Sequence, residues 1–343
     1  MKRRMNDLIA SPYFSFFVTV ALFAILYGAG IMAYKGFSRP QVFLNLFIDN
    51  AALIIVTVGI TFTLIIVGID LSVGAVLALS CMVLAWLLAN TAIPVGLAVL
   101  IVLLMGLVFG AAQGYIITKF DLQPFIITLA GMFFCRGMTA VISRDTIQIT
   151  NETFVAIASY RIDLGIGFVS VGAVLAMIVL AIAALVLGFT KFGRTVFAIG
   201  GSESSAALMG LPVFRTKVIV YTISGFCSAL GGVAYALIML TGYNLHGLGM
   251  EMDAIASSVI GGTLLSGGVA FIPGALFGVL IQGVILTFIS FQGTLSAWWT
   301  KIVVGALLCV FIVMQAFITE QKNKLSQKSS MEEPPSDPKP SAA

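Results

Sequence analysis

Runs of predominantly apolar residues, cut at charged or Gly/Pro-rich breaks, recur along almost the whole chain. Helices of about 20 such residues match the hydrocarbon core of a bilayer, so each run predicts a membrane-spanning helix. The pattern predicts ten spans, near residues 13–34, 47–67, 71–90, 95–117, 124–142, 168–190, 217–240, 252–268, 273–291 and 298–317. The expected fold class is an all-α polytopic membrane protein. It divides into a short N-terminus (1–12), a transmembrane domain (13–318) and a polar, proline-bearing tail (319–343) that cannot bury enough surface to order itself. Composition agrees, because 60% of the 343 residues are hydrophobic, 9% are charged and the mean hydropathy is +1.11.

Lysine and arginine placement orients the spans, since short basic loops are retained in the cytoplasm. With both termini inside, Lys2, Arg3, Arg4, Lys119, Lys191, Arg194, Arg215, Lys217, Lys322, Lys324, Lys328 and Lys339 are cytoplasmic, twelve of the eighteen basic residues. Only Lys35, Arg39, Arg144 and Arg161 fall outside, while Arg136 and Lys301 sit within or at the edge of spans. The first apolar run exceeds a signal-peptide core and is expected to stay as an anchor.

Several chemistries lack their parts. His246 is the single histidine, and Cys81, Cys135, Cys227 and Cys309 each stand alone in a different apolar run, without metal-ligand or disulfide spacing. The sequence LSGGV (Leu265 to Val269) imitates a nucleotide-binding signature. It lies in an apolar run, and no GxxxxGK[ST] phosphate loop accompanies it, so this polypeptide is not expected to bind ATP.

An internal repeat aligns TLIIVGIDLSVGAVLAL (Thr63 to Leu79) with TLLSGGVAFIPGALFGV (Thr263 to Val279) at a constant offset of 200. Both members fall at a helix-break-helix point, the kind of place where transporters set broken helices against a pathway. In the first member, Gly68 and Gly74 permit unusual backbone angles or close approach, and Asp70 and Ser72 can accept from the N–H groups that open the next helix. In the second, Thr263, Ser266, Gly267 and Gly268 are the matching candidates. A structural cap and a direct role in the gate both remain open.

Between spans six and seven runs the longest cytoplasmic loop, Lys191 to Lys217. Gly200 and Gly201 break it, Ser202 can N-cap, Glu203 suits a first turn, and Gly210 with Pro212 ends a short helix. Gly201, Ser202, Glu203, Ser204, Ala207, Leu208, Met209 and Gly210 are its candidate contact residues. A helix of about two turns is unstable alone and needs a surface to dock on, a cytoplasmic partner or the membrane face.

Arg136 is expected near the bilayer midplane, where a charge demands a partner or a polar cavity. Asp49 and Asp253 lie at matching depth, so either an ion pair or a contact in the substrate path accounts for it. Trp298 and Trp299 read as interfacial anchors, with sugar stacking the alternative. Glu251 reads as a solvated loop charge.

Taken together, GIDLSVGAVLALS, FIITLAGMFFCRG, FGRTVFAIGGSESSAALMG and MEMDAIASSVIGGTLLSGGV resemble, in order, the motifs of ribose-type ABC sugar permeases over roughly Phe43 to Gln315. Within that family FIITLAGMFF, GGTLLSGGV and GTLSAWWTK look most like a permease subunit of the bacterial galactofuranose importer. The resemblance implies an inner-membrane subunit, not itself an enzyme, that works with a second permease, a cytoplasmic ATPase holding ATP and Mg, and a periplasmic sugar-binding protein; no nucleic acid is involved. It also implies that the loop matching Ala198 to Gly210 is the coupling helix. Ser202 departs from the Asn common in relatives, though both can N-cap. The scarcity of ionisable groups in the spans speaks against the rival reading, an ion-coupled secondary sugar transporter.

Overall fold

The computed structural model describes residues 14–293 and 298–314. The N-terminus 1–12 and the tail 319–343 lie outside the described residues. Helix α1 (Phe14–Ala33) is followed by α2 (Pro40–Asp49) and α3 (Ala51–Ile65), which meet at a bend of 53° and together make one broken span. After a non-helical stretch, 66–72, come α4 (Val73–Asn90), α5 (Val95–Lys119) and α6 (Pro124–Ile142). A peripheral layer holds β1 (Ile147–Gln148), α7 (Glu152–Ser159), β2 (Arg161–Asp163) and β3 (Phe168–Ser170). The chain continues through α8 (Val171–Phe189), α9 (Lys191–Gly201), α10 (Glu203–Leu208), α11 (Val213–Met239), β4 (Thr241–Gly242), α12 (Met250–Ile260), α13 (Ile272–Gln292) and α14 (Trp298–Met314). β1 pairs with β4 and β2 with β3, both antiparallel, at the end of the bundle opposite α10.

Among the described residues, α1, α4, α5, α6, α8, α11 and α13 are each long and apolar enough to cross a membrane, and the bent pair raises seven to eight. The protein is an all-α polytopic membrane protein. Two of the ten expected spans differ. The run at 252–268 is the 11-residue α12 followed by a tight turn, because Gly262, Gly267 and Gly268 take positive φ and stop the helix halfway. The last run, α14, is apolar but shorter than the seven.

The centre of the bundle is α3, whose side chains are all buried. Helix α11 packs along α3, α4 and α5. Its approach to α5 is set by small residues four apart: a Cβ on Gly110 would lie 3.1 Å from Gly225 Cα, and one on Gly114 would lie 3.0 Å from Val218 Cα. In lipid, where helix association gains little from the hydrophobic effect, such close backbone approach is a main source of adhesion. By contrast α6 buries only Thr128, Cys135 and Thr139, a single stripe, and leaves Phe133, Phe134 and Val141 facing outward. Cys81, Cys135 and Cys227 are buried and free as expected, but Cys309 is exposed on α14.

Candidate functional site

The first break, 66–72, leaves α3 without continuing its helical ladder, and some of the freed groups find partners close by. The Gly68 N–H donates to Thr63 O at 2.8 Å, and the Ile69 carbonyl accepts from the Thr128 hydroxyl at 3.1 Å. Positive φ falls at Val67 (59°), not at Gly68. Gly68 is instead a close-approach residue, since a Cβ there would lie 3.2 Å from both Thr63 O and the Tyr221 ring.

Asp70 is buried and knots this break to two helices. Its Oδ1 accepts from the Ser72 N–H (2.9 Å) and the Ser72 hydroxyl (2.6 Å), and its Oδ2 accepts from the Ser224 hydroxyl of α11 (2.6 Å). Ser72 therefore occupies the N-cap position of α4 without capping through its side chain, contrary to expectation. Its oxygen also lies 3.1 Å from Gln113 Oε1 of α5, but the single proton goes to the nearer carboxylate.

The second break, 261–271, comes back to the first. Gly268 N–H donates to the carbonyl of Ile65, the last residue of α3, at 2.9 Å. Ser258 bridges the two, with its hydroxyl 2.9 Å from Thr61 Oγ1 and 2.9 Å from Thr263 Oγ1. One pair keeps the offset of 200 in its backbone, Val67 at φ 59° answering Gly267 at φ 82°, whereas Gly268 at φ 72° has no such match in Gly68. Ser266 stays exposed at the turn.

Next to this junction lies the docking candidate. Ser202 caps α10 by accepting from the Ser205 N–H at 3.3 Å, as its position predicted. Ala206 is buried and seats the helix on the bundle. Glu203 is exposed and held within the chain: both its oxygens accept from Lys217 of α11, at 2.9 and 3.0 Å. Leu208 is 90% exposed and Met209 67% exposed, with Gly201, Ser202, Ser204, Ala207 and Gly210 also at the surface.

Arg136 forms no ion pair with Asp49 or Asp253; the two ion pairs among the described residues are Lys217–Glu203 and Lys301–Asp253. Its Nη1 donates instead to the carbonyls of Asn244 (2.8 Å) and His246 (2.7 Å). Those carbonyls belong to a largely non-helical run, 240–249, that turns back along α4: a Cβ on Gly242 would sit 2.7 Å from Ala85 Cβ, and one on Gly247 would sit 3.1 Å from Gly74 O. That path along α4 covers about 16 Å at the helical rise. Non-helical backbone at such depth persists only inside protein or along a water-filled cavity. Glu251 opens α12 beside Gly74 and is buried, not solvated as its sequence context suggested; among the described residues its Oε2, like Asn244 Oδ1 and His246 Nδ1, has no hydrogen-bond partner. Asp49 lies exposed at the end of α2. Trp299 lines a wholly apolar cleft of about 350 Å³ between α1, α13 and α14, which suits anchoring and offers sugar hydroxyls nothing.

Two broken helices tied to each other, beside a short helix that projects from a bundle of apolar spans, define a transport permease. Residues 42–312 match the family described as "Branched-chain amino acid transport system / permease component", and the chain belongs to it, among the ribose-type ABC permeases. It is 42% identical over 307 residues, 88% of this chain and 92% of the relative, to the inner membrane ABC transporter permease protein YjfF of Escherichia coli (strain K12). It is 39% identical to the fructose import permease protein FruG of Bifidobacterium longum (strain NCC 2705), covering 86% of this chain and 88% of the relative. It is 35% identical to the ribose import permease protein RbsC of Bacillus subtilis (strain 168), covering 88% and 91%. No solved structure matches the chain.

Proposed function

We propose that the chain is a permease subunit of an ATP-driven importer in a bacterial inner membrane, with both termini and α10 on the cytoplasmic side. It carries a neutral sugar, galactofuranose or a related monosaccharide, from periplasm to cytoplasm. The observation that carries this reading is α10 itself. A six-residue helix, clamped from behind by Ala206 and Lys217, holds Leu208 and Met209 out among exposed serines. Mixed polar and apolar contacts of that kind suit a groove on a protein better than a lipid surface.

In this reading a separate ATPase subunit binds ATP and Mg and grips α10. A periplasmic binding protein delivers the sugar, and a paralogous permease forms the other wall of the pathway. Hydrolysis biases the paired breaks between outward-open and inward-open arrangements. The sugar passes along the polar line of Arg136, Asn244, His246 and Glu251. Galactofuranose is favoured by the stretches FIITLAGMFF, GGTLLSGGV and GTLSAWWTK. Ribose and fructose, named for two relatives, also close five-membered rings.

The test is purification of a tagged copy, followed by reconstitution with a panel of labelled sugars. Co-purification of an ATPase and a second permease, with saturable uptake led by the furanose sugar, is the expected result. A chain that transports sugar saturably without an ATPase would instead be a secondary transporter.

A further inference from the structure

Gly200, on the last turn of α9, has no room for a side chain. A Cβ there would run into the Ile65 carbonyl oxygen and lie 2.6 Å from Gly268 N. Those two atoms are the ends of the 2.9 Å hydrogen bond that joins the first break to the second. Gly267 is equally tight from the other side: its added Cβ would lie 2.8 Å from both the Gly200 and the Ile65 carbonyl oxygens, and 2.5 Å from Val67 Cγ2. Gly201, one residue further on, faces open space. Three backbone segments thus touch with no flexible side chain between them, and α10 starts two residues beyond Gly201, at Glu203. Contacts of that stiffness pass on a displacement instead of absorbing it.

We propose that Gly200 is a positioning residue for transport: the joint through which movement of α10 reaches both breaks at once. The inference rests on the docking role of α10 proposed above. A shift of the end of α9 presses on the Ile65–Gly268 hydrogen bond. Because that bond links the two halves of the repeat, both breaks respond to the same push.

The test compares Gly200→Ala with Gly188→Ala, an exposed glycine near the end of α8 whose added Cβ would also meet nothing, in the complete transporter, reconstituted in vesicles with ATP. The probe is labelled galactose, fructose or ribose, whichever the wild-type complex takes up. Gly200→Ala is expected to lower sugar moved per ATP hydrolysed by about tenfold, within the usual span of coupling between sites, with the ATPase still bound. Gly188→Ala should keep the wild-type ratio, and equal ratios for the two variants would overturn the proposal. A second arm decides the matter even where Gly200→Ala fails to assemble. It joins Thr61→Cys to Ser258→Cys, whose hydroxyls lie 2.9 Å apart between the helices that lead into the two breaks, in a Cys309→Ser background, Cys309 being the exposed native thiol. Oxidation should stop uptake and dithiothreitol should restore it, whereas uptake indifferent to oxidation would overturn the joint. A wild-type chain that purifies without an ATPase overturns the docking reading instead, and flux through the oxidised and reduced cysteine pair still judges the joint.

Discussion

Removing the Ser224 hydroxyl probes the knot at Asp70 most directly. Among the described residues, Oδ2 of Asp70 has one donor, Ser224 at 2.6 Å, while Oδ1 has two, the Ser72 N–H at 2.9 Å and the Ser72 hydroxyl at 2.6 Å. Hydrogen bonds to charged groups contribute roughly 1.5–3 kcal/mol in soluble proteins. Interhelical bonds within membranes average about 0.6 kcal/mol and reach about 1.7. A short bond onto a buried carboxylate belongs at the top of the second range, so the Asp70–Ser224 coupling is expected near 1.5 kcal/mol. Ser72→Ala should cost less, about 1 kcal/mol or under, because Oδ1 keeps its backbone donor. The assay is a double-mutant cycle of Asp70→Ala and Ser224→Ala, with unfolding titrated by SDS in mixed micelles and followed by tryptophan fluorescence. Additivity of the two changes within about 0.5 kcal/mol, or a Ser72→Ala cost above that of Ser224→Ala, would refute the reasoning.

Leu208→Asp with Met209→Asp should abolish ATPase co-purification while leaving SDS stability within about 0.5 kcal/mol, since both side chains are exposed. Glu203→Lys or Lys217→Glu alone should loosen α10 by about 0.2–1 kcal/mol, and the double charge swap should restore ATPase binding measured by pull-down. Arg136→Met strands the carbonyls of Asn244 and His246 and should cost about 3 kcal/mol in the same SDS titration, with Arg136→Lys recovering part of it. Val67→Gly should raise stability by about 1 kcal/mol, because the strain of a β-branched residue at positive φ exceeds the added entropy of glycine in the unfolded chain; a lowered SDS midpoint would contradict that balance.

Most of the bundle was legible because a helix in lipid satisfies its own backbone, so its length and apolarity are written locally. Seven predicted runs match single helices, and the run at 47–67 lies mostly on α3, with α2 continuing it across the bend. What stayed hidden involves partners that leave no mark in the sequence. Hydropathy cannot separate the half-length α12 from a full span, because the turn after it is apolar too. Arg136 looked for carboxylates and found main-chain oxygens, which every residue carries. The repeat pointed to Gly68 as the unusual backbone position, yet the second member's Gly267 marks the true counterpart, Val67. Gly200 read only as a loop break, since the backbone it touches lies over sixty residues away in both directions. The Lys217–Glu203 clamp spans fourteen residues, beyond any helical spacing rule.

The two irregular runs, 66–72 and 240–249, enter the bundle from opposite ends and meet where Gly74 faces Gly247 and Glu251. If water follows each run inward, the true insulating layer of this protein is far thinner than the surrounding lipid. The transmembrane voltage would then be concentrated at that glycine contact, at about 2.3 kcal/mol per elementary charge for each 100 mV. A neutral cargo crosses such a thin septum without doing electrical work, whereas any ion slipping through with it would feel the full field in one step.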